Sequence, residues 1–268
     1  MNTGELRVLS YNIRYDSPAD GVHTWANRRK RVVDQLRFHR PDIIGVQEAL
    51  LGQIEDLAEG MAEYEWVGEG REGELRGEFT PLLFRKERLR VLRSWTRWLS
   101  QEPSRPGSIG WDADTPRTVT SAEVEERRTG EHFFAHNTHF DNLGKEAVRK
   151  SVDLLRAWVT RDGSSRAVRT LVTGDFNFDP GSVPHRELAE SLLDARDTAK
   201  EMIYGPETTY VGPGFLASHT PGPRFDYIFV SPDIAVLRYA TLSDSWDGTH
   251  PSDHFPVMAE VLLEGARN

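Results

Sequence analysis

Residues Thr173 to Pro180 read TGDFNFDP, which places Asp175, Asn177 and Asp179 within five positions, directly after the strand-like run RTLV. Comparable groupings recur along the chain. Asn12 closes LSYN, Glu48 closes GVQE, and Asn137, His139 and Asp141 alternate through NTHFD. Asp226 stands just before YIFV, and Asp253 and His254 stand just before FPVMAEVLL. Gathered in one place, these groups would form a pocket of carboxylate and amide oxygens with two imidazoles. Crowded carboxylates repel one another, and burying them unpaired is costly. A divalent cation resolves both problems. The chain has no Cys, and oxygen-rich ligands without thiolates favour Mg2+, with Mn2+ second and zinc admitted by the His residues. Metal, imidazole and amide donors together are the equipment for hydrolysing a phosphate ester, in which charge develops on oxygens as an activated water attacks phosphorus.

These groups can meet only if the backbone brings them together. Side chains alternate across a strand, so residues two apart share a face. Four strands then show faces of Leu6, Val8, Ser10, Asn12; of Ile44, Val46, Glu48; of Phe133, Ala135, Asn137, His139, Asp141; and of Leu171, Thr173, Asp175, Asn177. Each starts apolar and finishes polar, as expected where a core meets a cleft. Asp226 and the Asp253–His254 pair begin their strands instead. Those two strands must run antiparallel to the other four for all the polar tips to share one edge.

Further strand-like segments begin at Pro81, Leu89, Thr118 and Val236, and helical periodicity covers Trp25 to His39, Gly52 to Met61, Lys145 to Thr160 and His185 to Leu193. Pro and Gly clusters from Ser104 and from Val211 mark long loops. The pattern predicts an α/β fold, a four-layer sandwich of two mixed β-sheets packed face to face with helices outside. A single doubly wound sheet is the alternative. No composition break suggests a second domain, so one domain over residues 1–268 is expected.

The formal net charge of −9 repels polyphosphate at long range, so duplex DNA binding would need a strong local basic patch. The best basic run, NRRKR from Asn27 to Arg31, opens an amphipathic segment continued by Val32, Val33, Leu36 and Phe38. It reads as the solvated face of a helix. The first ten residues lack a basic region followed by a long apolar stretch, and no run approaches membrane-spanning length. A cytoplasmic protein without membrane association or an obligate protein partner is therefore expected.

Six motifs, LSYNIRYD, GVQE, NTHFDN, TGDFNFDP, RFDYIFVS and PSDHFPV, occur in that order from Leu9 to Val257. Together they resemble the endonuclease/exonuclease/phosphatase superfamily, similar in fold to exonuclease III and DNase I. The resemblance implies a divalent-metal-dependent phosphoesterase, a phosphodiesterase first, acting on a phosphate ester that includes nucleotides among its candidates. It implies that Asn12, Glu48 and Asp253 hold the metal, with Glu48 the principal carboxylate. Asp175 would orient or deprotonate the attacking water, and Asn177 would bond phosphate or metal. His254 would act as general base or as donor to the phosphate, with Asp226 behind it fixing tautomer and orientation, and His139 would donate to a phosphoryl oxygen. The chain departs from the repair nucleases in having Arg14 where they carry Asp and His139 where they carry Tyr. The His-containing form resembles sphingomyelinases, inositol polyphosphate 5-phosphatases and poly(A) deadenylases, and YNIRYDSPADGVHTW looks like a bacterial branch nearest the deadenylase-like members. The signal peptide and apolar membrane hairpin expected of secreted sphingomyelinases are not seen.

Arg117 and Arg14 are candidate phosphate clamps, because guanidinium matches phosphate oxygens bidentately; an ion pair is the competing role. Trp111 could stack on a ring of the substrate or pack its loop. Asn142 and Asp141 could line the pocket or cap the helix that starts at Lys145. His250, His132 and His136 read as structural. A nuclease or deadenylase acting on single-stranded nucleic acid is the second reading, with Trp25, Trp111 and Phe215 as base-stacking candidates. A non-catalytic binding protein is the third.

Overall fold

The computed structural model describes residues 4–164, 169–216 and 221–263, with the backbone path alone for 162–164. Positions 217–220 of the loop expected from Val211 lie outside the described residues. In chain order the first half comprises β1 (Glu5–Asn12), α1 (Trp25–His39), β2 (Ile43–Gln47), α2 (Leu51–Gly60), β3 (Tyr64–Val67), β4 (Leu82–Arg85), β5 (Leu89–Trp98), β6 (Thr118–Glu126) and β7 (His132–His139). Then follow α3 (Lys145–Ser164), β8 (Arg169–Asp175), α4 (Val183–Ala189), β9 (Leu193–Asp194), α5 (Ala195–Thr198), β10 (Met202–Tyr204), β11 (Asp226–Val230), β12 (Ala235–Thr241) and β13 (Val257–Leu262). The short elements β3, β9, β10 and α5 have too few residues to show a period and were not anticipated from sequence.

Among the described residues the strands form a seven-stranded sheet, ordered β10-β12-β13-β1-β2-β4-β3, and a six-stranded sheet, ordered β5-β6-β7-β8-β11-β9. This is the DNase I-like sandwich, and it excludes the doubly wound alternative. Leu6, Val8 and Ile43 of one sheet meet Phe133, Ala135, Leu171 and Ile228 of the other in the central core. Leu9, Tyr11, Ile44 and Val46 face outward under Val32 and Leu36 of α1 and Ile54 and Leu57 of α2. On the opposite side Val172, Tyr227 and Phe229 lie under Val152 and Leu155 of α3 and Leu188 of α4. Four layers follow from strands with two apolar faces, each of which must be covered.

The predicted strand directions hold. β11 runs antiparallel to β8 with Asp226 opposite Asp175, and β13 runs antiparallel to β1 with Val257 opposite Ser10. β1 and β2 are parallel, as are β7 and β8. All the polar tips therefore meet at one edge of the sandwich.

Two expectations are corrected. Ile44 and Val46 point toward the helices, so simple alternation would send Glu48 there too. Glu48 instead takes a left-handed conformation, φ 63°, which breaks the alternation and turns its side chain into the cleft. The basic run of α1 is not uniformly solvated either. Arg28 is buried, and its guanidinium donates to the carbonyls of Ile13 (2.8 Å), Pro251 (2.8 Å), Arg14 (3.0 Å) and His23 (2.5 Å). It ties the end of β1 to the loop that carries Asp253. Among the described residues, no helix is long and apolar enough to cross a membrane.

Candidate active site

Close approach of the two sheets sets the floor of the site. Gly45 allows it, since a Cβ there would lie 2.0 Å from Thr173 Oγ1 and 2.7 Å from Asn137 Oδ1. Asn137 then fastens the sheets together: its Nδ2 donates to Val46 O (2.7 Å) and Pro81 O (2.9 Å), and its Oδ1 accepts from Gln47 Nε2 (2.7 Å) and Thr173 Oγ1 (3.0 Å). Asn137 is thus a fully bonded staple beneath the cleft, not part of its lining.

Above this floor, Asn12, Glu48, Asp175, His139 and His254 converge. Asn12 Nδ2 donates to Glu48 Oε1 (3.0 Å) and Asp175 Oδ2 (2.9 Å), bridging the two sheets through two carboxylates. His254 Nδ1 donates to Asp226 Oδ2 (2.8 Å), which turns Nε2 toward Asp175 Oδ2 at 3.7 Å. His139 Nε2 approaches the same oxygen at 3.6 Å. Asn177, also left-handed at φ 50°, donates its backbone N–H to Asp175 Oδ1 (3.1 Å) and its Nδ2 to Phe140 O (3.0 Å). Two non-glycine residues in the left-handed region beside one carboxylate is the kind of stored backbone strain that clusters at functional sites.

Asp253 is held against this group by Ser252, whose Oγ donates to Asn12 O (2.7 Å). The stretch Thr209 to Val211 pairs with Asp253 to Phe255 through Val211 N to Asp253 O (2.8 Å) and Phe255 N to Thr209 O (2.7 Å). Thr209 Oγ1 also accepts from Asp226 N (3.1 Å), so one segment aligns both halves of the Asp226–His254 pair.

The electrostatics are uneven. Burial raises the Asp175 carboxyl, and Asp226 adds to the rise while His254 opposes it. Burial likewise raises Asp253, against the opposing charge of His254. Burial alone would lower His254, but Asp226 and Asp175 outweigh it and hold the imidazole well above its ordinary value. His139 lies well below, because burial, Arg117 and His254 all disfavour its charge. The two imidazoles are therefore pushed in opposite directions, His254 toward its charged form and His139 toward its neutral form.

The donor set suits a hard cation. Glu48 and Asp253 offer carboxylate oxygens at the cleft, and both imidazoles face Asp175 while Asp226 occupies Nδ1 of His254. A trio of Asp175, Asp226 and His254 also lies within ligating distance of one another. In that trio His254 Nδ1 is already taken by Asp226, whereas Glu48 and Asp253 present carboxylate oxygens to the cleft that could hold an ion; Asn12 turns its Nδ2 to Glu48 and Asp175 while its Oδ1 accepts from Arg14 N (3.0 Å).

The cleft measures about 540 Å3 and extends from these groups past Asn142 and Asn177 to Arg14, Arg71, Glu78, Asp114 and Arg117. Arg14 is gripped by Asp20 through Nε to Oδ2 (3.0 Å) and Nη2 to Oδ1 (3.0 Å), with Nη1 3.8 Å from Glu48 Oε2. Arg117 donates to Asp141 Oδ2 (3.3 Å) and to Asn142 Oδ1 (3.1 Å). Asn142 lines the cleft, whereas Asp141 caps the turn before α3 by accepting from Leu143 N and Gly144 N. Burial would raise Asp141, but those amides and Arg117 hold it below the usual carboxylate range.

Trp111 lies outside the cleft lining, in a left-handed loop position with its N–H toward Gln101. The stacking candidates Trp25 and Phe215 are buried, Trp25 at the first position of α1 with Nε1 on Asp56 and Phe215 stacked on His23. His250 Nδ1 donates to the carbonyl of Asp244, His136 meets Ser121, and His132 sits between Glu123 and Glu125, all away from the cleft. Sequence reasoning missed Arg71, Glu78, Thr209, Tyr210 and Arg28. Of these only Arg71 and Glu78, a charged pair in the glycine-rich stretch GREGELRGEF, left a local signal.

Comparisons with known proteins show the family and the fold. The model of the Endonuclease/Exonuclease/phosphatase family matches residues 9–254. The structure of an endonuclease/exonuclease/phosphatase from Bacteroides vulgatus is similar at 35% identity and TM-score 0.91, over 97% of this chain and 99% of that one. A mannosyl-6-phosphatase of Bacteroides thetaiotaomicron is similar at 30% identity and TM-score 0.91, over 96% and 99%. The catalytic domain of human nocturnin shares the fold at 19% identity and TM-score 0.74, over 96% and 93%.

Proposed function

Because the chain belongs to the endonuclease/exonuclease/phosphatase family and is thereby a metal-dependent hydrolase of phosphate esters, we propose that Asp175, His254, Asp226, His139 and Asn177 carry out the hydrolysis beside an Mg2+ held by Glu48 and Asp253, with Asn12 adjoining. The observation that carries this reading is the convergence of both imidazoles on one oxygen of Asp175, at 3.6 and 3.7 Å, next to Glu48. The ion supplies positive charge where negative charge builds on phosphoryl oxygens; Mn2+ has similar preferences and substitutes for it.

Asp175 orients the attacking water and accepts its proton, a role suited to a carboxyl raised by burial. Asn177 and Asn12 fix Asp175 by bonding its two oxygens separately. His254, kept cationic by Asp226, presents Nε2 to the phosphate as a donor. His139, neutral, donates a second hydrogen bond without adding charge. Arg14 holds the outer phosphate oxygens while Asp20 keeps its guanidinium plane fixed.

The substrate is a phosphate ester small enough for the cleft. The diester implied by the motifs and the sugar monoester brought in by the mannosyl-6-phosphatase likeness both belong to that class. Two of the base-stacking candidates of the nuclease reading, Trp25 and Phe215, are buried and cannot stack on a substrate base. Activity is tested on bis-p-nitrophenyl phosphate and p-nitrophenyl phosphate. Chelation should stop release of p-nitrophenol, and added Mg2+ or Mn2+ should restore it. Turnover that persists after complete metal removal, or an Asp175→Asn variant with wild-type rates, would overturn the assignment.

A further inference from the structure

Beyond the phosphate-binding groups, the cleft has a second wall. Arg71 and Glu78 face each other there, Arg71 Nη2 lying 2.8 Å from Glu78 Oε1, with 19% and 16% of their side chains exposed. Arg117 and Asn142 continue the same wall. We propose that this Arg71–Glu78 pair, with Arg117 and Asn142, is the subsite for the alcohol half of the ester, and that it selects neighbouring hydroxyl groups such as those of a phosphorylated carbohydrate. The proposal rests on the phosphoester reading above and adds the class of alcohol to it.

The chemistry follows from hydrogen-bonding capacity. A hydroxyl both donates and accepts, a carboxylate only accepts and a guanidinium only donates. A carboxylate and a guanidinium held side by side therefore read two adjacent hydroxyls in a way that neither reads an alkyl chain. Such a reader must be rigid to discriminate, because ordering it on binding would consume the gain. The loop is pinned on several sides. Arg71 N–H donates to Glu78 O (2.8 Å), Arg71 O accepts from Trp98 Nε1 (2.6 Å), and Phe79, buried, donates its N–H to Ala49 O (2.8 Å). Gly70 is required in this fold, since a Cβ there would stand 2.0 Å from Arg76 O.

The aromatic groups of the cleft point the same way. Base recognition on single strands needs open ring faces. Tyr210 packs on His254 (4.8 Å) and on Phe225 (5.8 Å), and the Arg14 guanidinium covers Tyr15 at 4.3 Å. Asp114 would also repel a polyanionic strand, and Glu78, pushed up to about 7 by burial against the opposing charge of Arg71, adds to this only once ionised, whereas a neutral polyol meets no such penalty.

The test compares kcat/KM of the Mg2+-loaded protein on mannose 6-phosphate, n-hexyl phosphate and p-nitrophenyl phosphate, with bis-p-nitrophenyl phosphate and a single-stranded oligonucleotide as further arms. The wild type should prefer mannose 6-phosphate to n-hexyl phosphate by about tenfold or more, the size of a lost hydrogen bond to a charged partner. Glu78→Gln, nearly isosteric, and Arg71→Lys should lower the ratio of mannose 6-phosphate to p-nitrophenyl phosphate activity by about tenfold, since specificity is the difference between two substrates. No preference in the wild type, or an equal loss on both substrates in the variants, overturns the subsite. Hydrolysis confined to the diester or the oligonucleotide also overturns it while leaving the phosphoester reading intact. Hydrolysis of none of the five refutes that reading and the subsite with it.

Discussion

Two hydrogen-bonded His–Asp pairs buried among the described residues differ in everything except composition. His254 meets Asp226 at 2.8 Å, and His185 at the start of α4 meets Asp194 at 3.2 Å. His185 has both nitrogens engaged, because Gly181 N–H donates to Nδ1 (3.3 Å), and its ring packs among Phe178, Tyr227 and Phe229. Asp194 is further neutralised by Arg224, with Nη2 to Oδ2 at 2.8 Å. In the other pair no guanidinium bonds Asp226 among the described residues, Asp226 Oδ1 has no hydrogen-bond partner, and the second nitrogen of His254 faces another carboxylate, Asp175, at 3.7 Å in the wall of the cleft. On the role proposed above for His254, a His–Asp pair becomes chemical equipment when no guanidinium shares its carboxylate and its second nitrogen faces the cleft. Where an arginine takes the charge and an amide takes the nitrogen, the same pair is a strut.

Exchanging substitutions between the two pairs tests that contrast. The largest effect is expected for His254→Ala, which should lower kcat by about 10^2- to 10^4-fold, the usual contribution of a positioned acid or base. His185→Ala should leave kcat within about threefold and instead lower unfolding free energy by roughly 2–4 kcal/mol as a buried ring is removed. Equal losses of kcat in the two variants would erase the distinction. Next, Asp226→Asn should cost about 10- to 100-fold in kcat with little change in urea midpoint, as is common for an outer group that orients a functional histidine. Asp194→Asn should show the reverse, with turnover intact and about 3–5 kcal/mol of stability lost, because the buried charge of Arg224 is left uncompensated.

The smallest effect is in pH dependence. Burial would raise Asp194, but the His185 hydrogen bond and Arg224 together hold its carboxyl below the ordinary value. A carboxyl depressed in the folded state contributes stability that is complete above its unfolded value of about 4 and is lost as pH falls through the folded value. The stability gap between wild type and Asp194→Asn should therefore be constant from about pH 7 to 5 and shrink below about pH 4. A gap that stays unchanged down to about pH 2 would mean that Asp194 is not stabilised by its charge.

Much of the catalytic edge was legible from local pattern. Asn12 and Asp175 follow the alternation of their strands, and Asp226 and His254 needed only an antiparallel pairing to meet them. Alternation failed at Glu48, where the motif pointed to the cleft but the strand period pointed to the helices, and a left-handed backbone decided between them. It also failed for Arg28, whose neighbours in sequence are solvated while its own guanidinium is buried against four carbonyls. Nothing in NRRKR distinguishes one arginine from the next, since the partners come from segments up to 223 positions away. Asn137 was expected in the cleft by parity and lies one layer below it, because parity gives the face and not the depth.

From its amino-acid order alone the chain determined the chemical kinds present, the strands that bear them and the ends at which they sit, since alternation and helical period depend only on near neighbours. Tertiary structure decided which charges stand alone and which are answered: Asp226 open to His254, Asp194 closed by Arg224, Arg71 set against Glu78. Protonation and hydrogen bonding depend on distances of a few ångströms between residues remote in the chain, and those distances exist only after two sheets have packed.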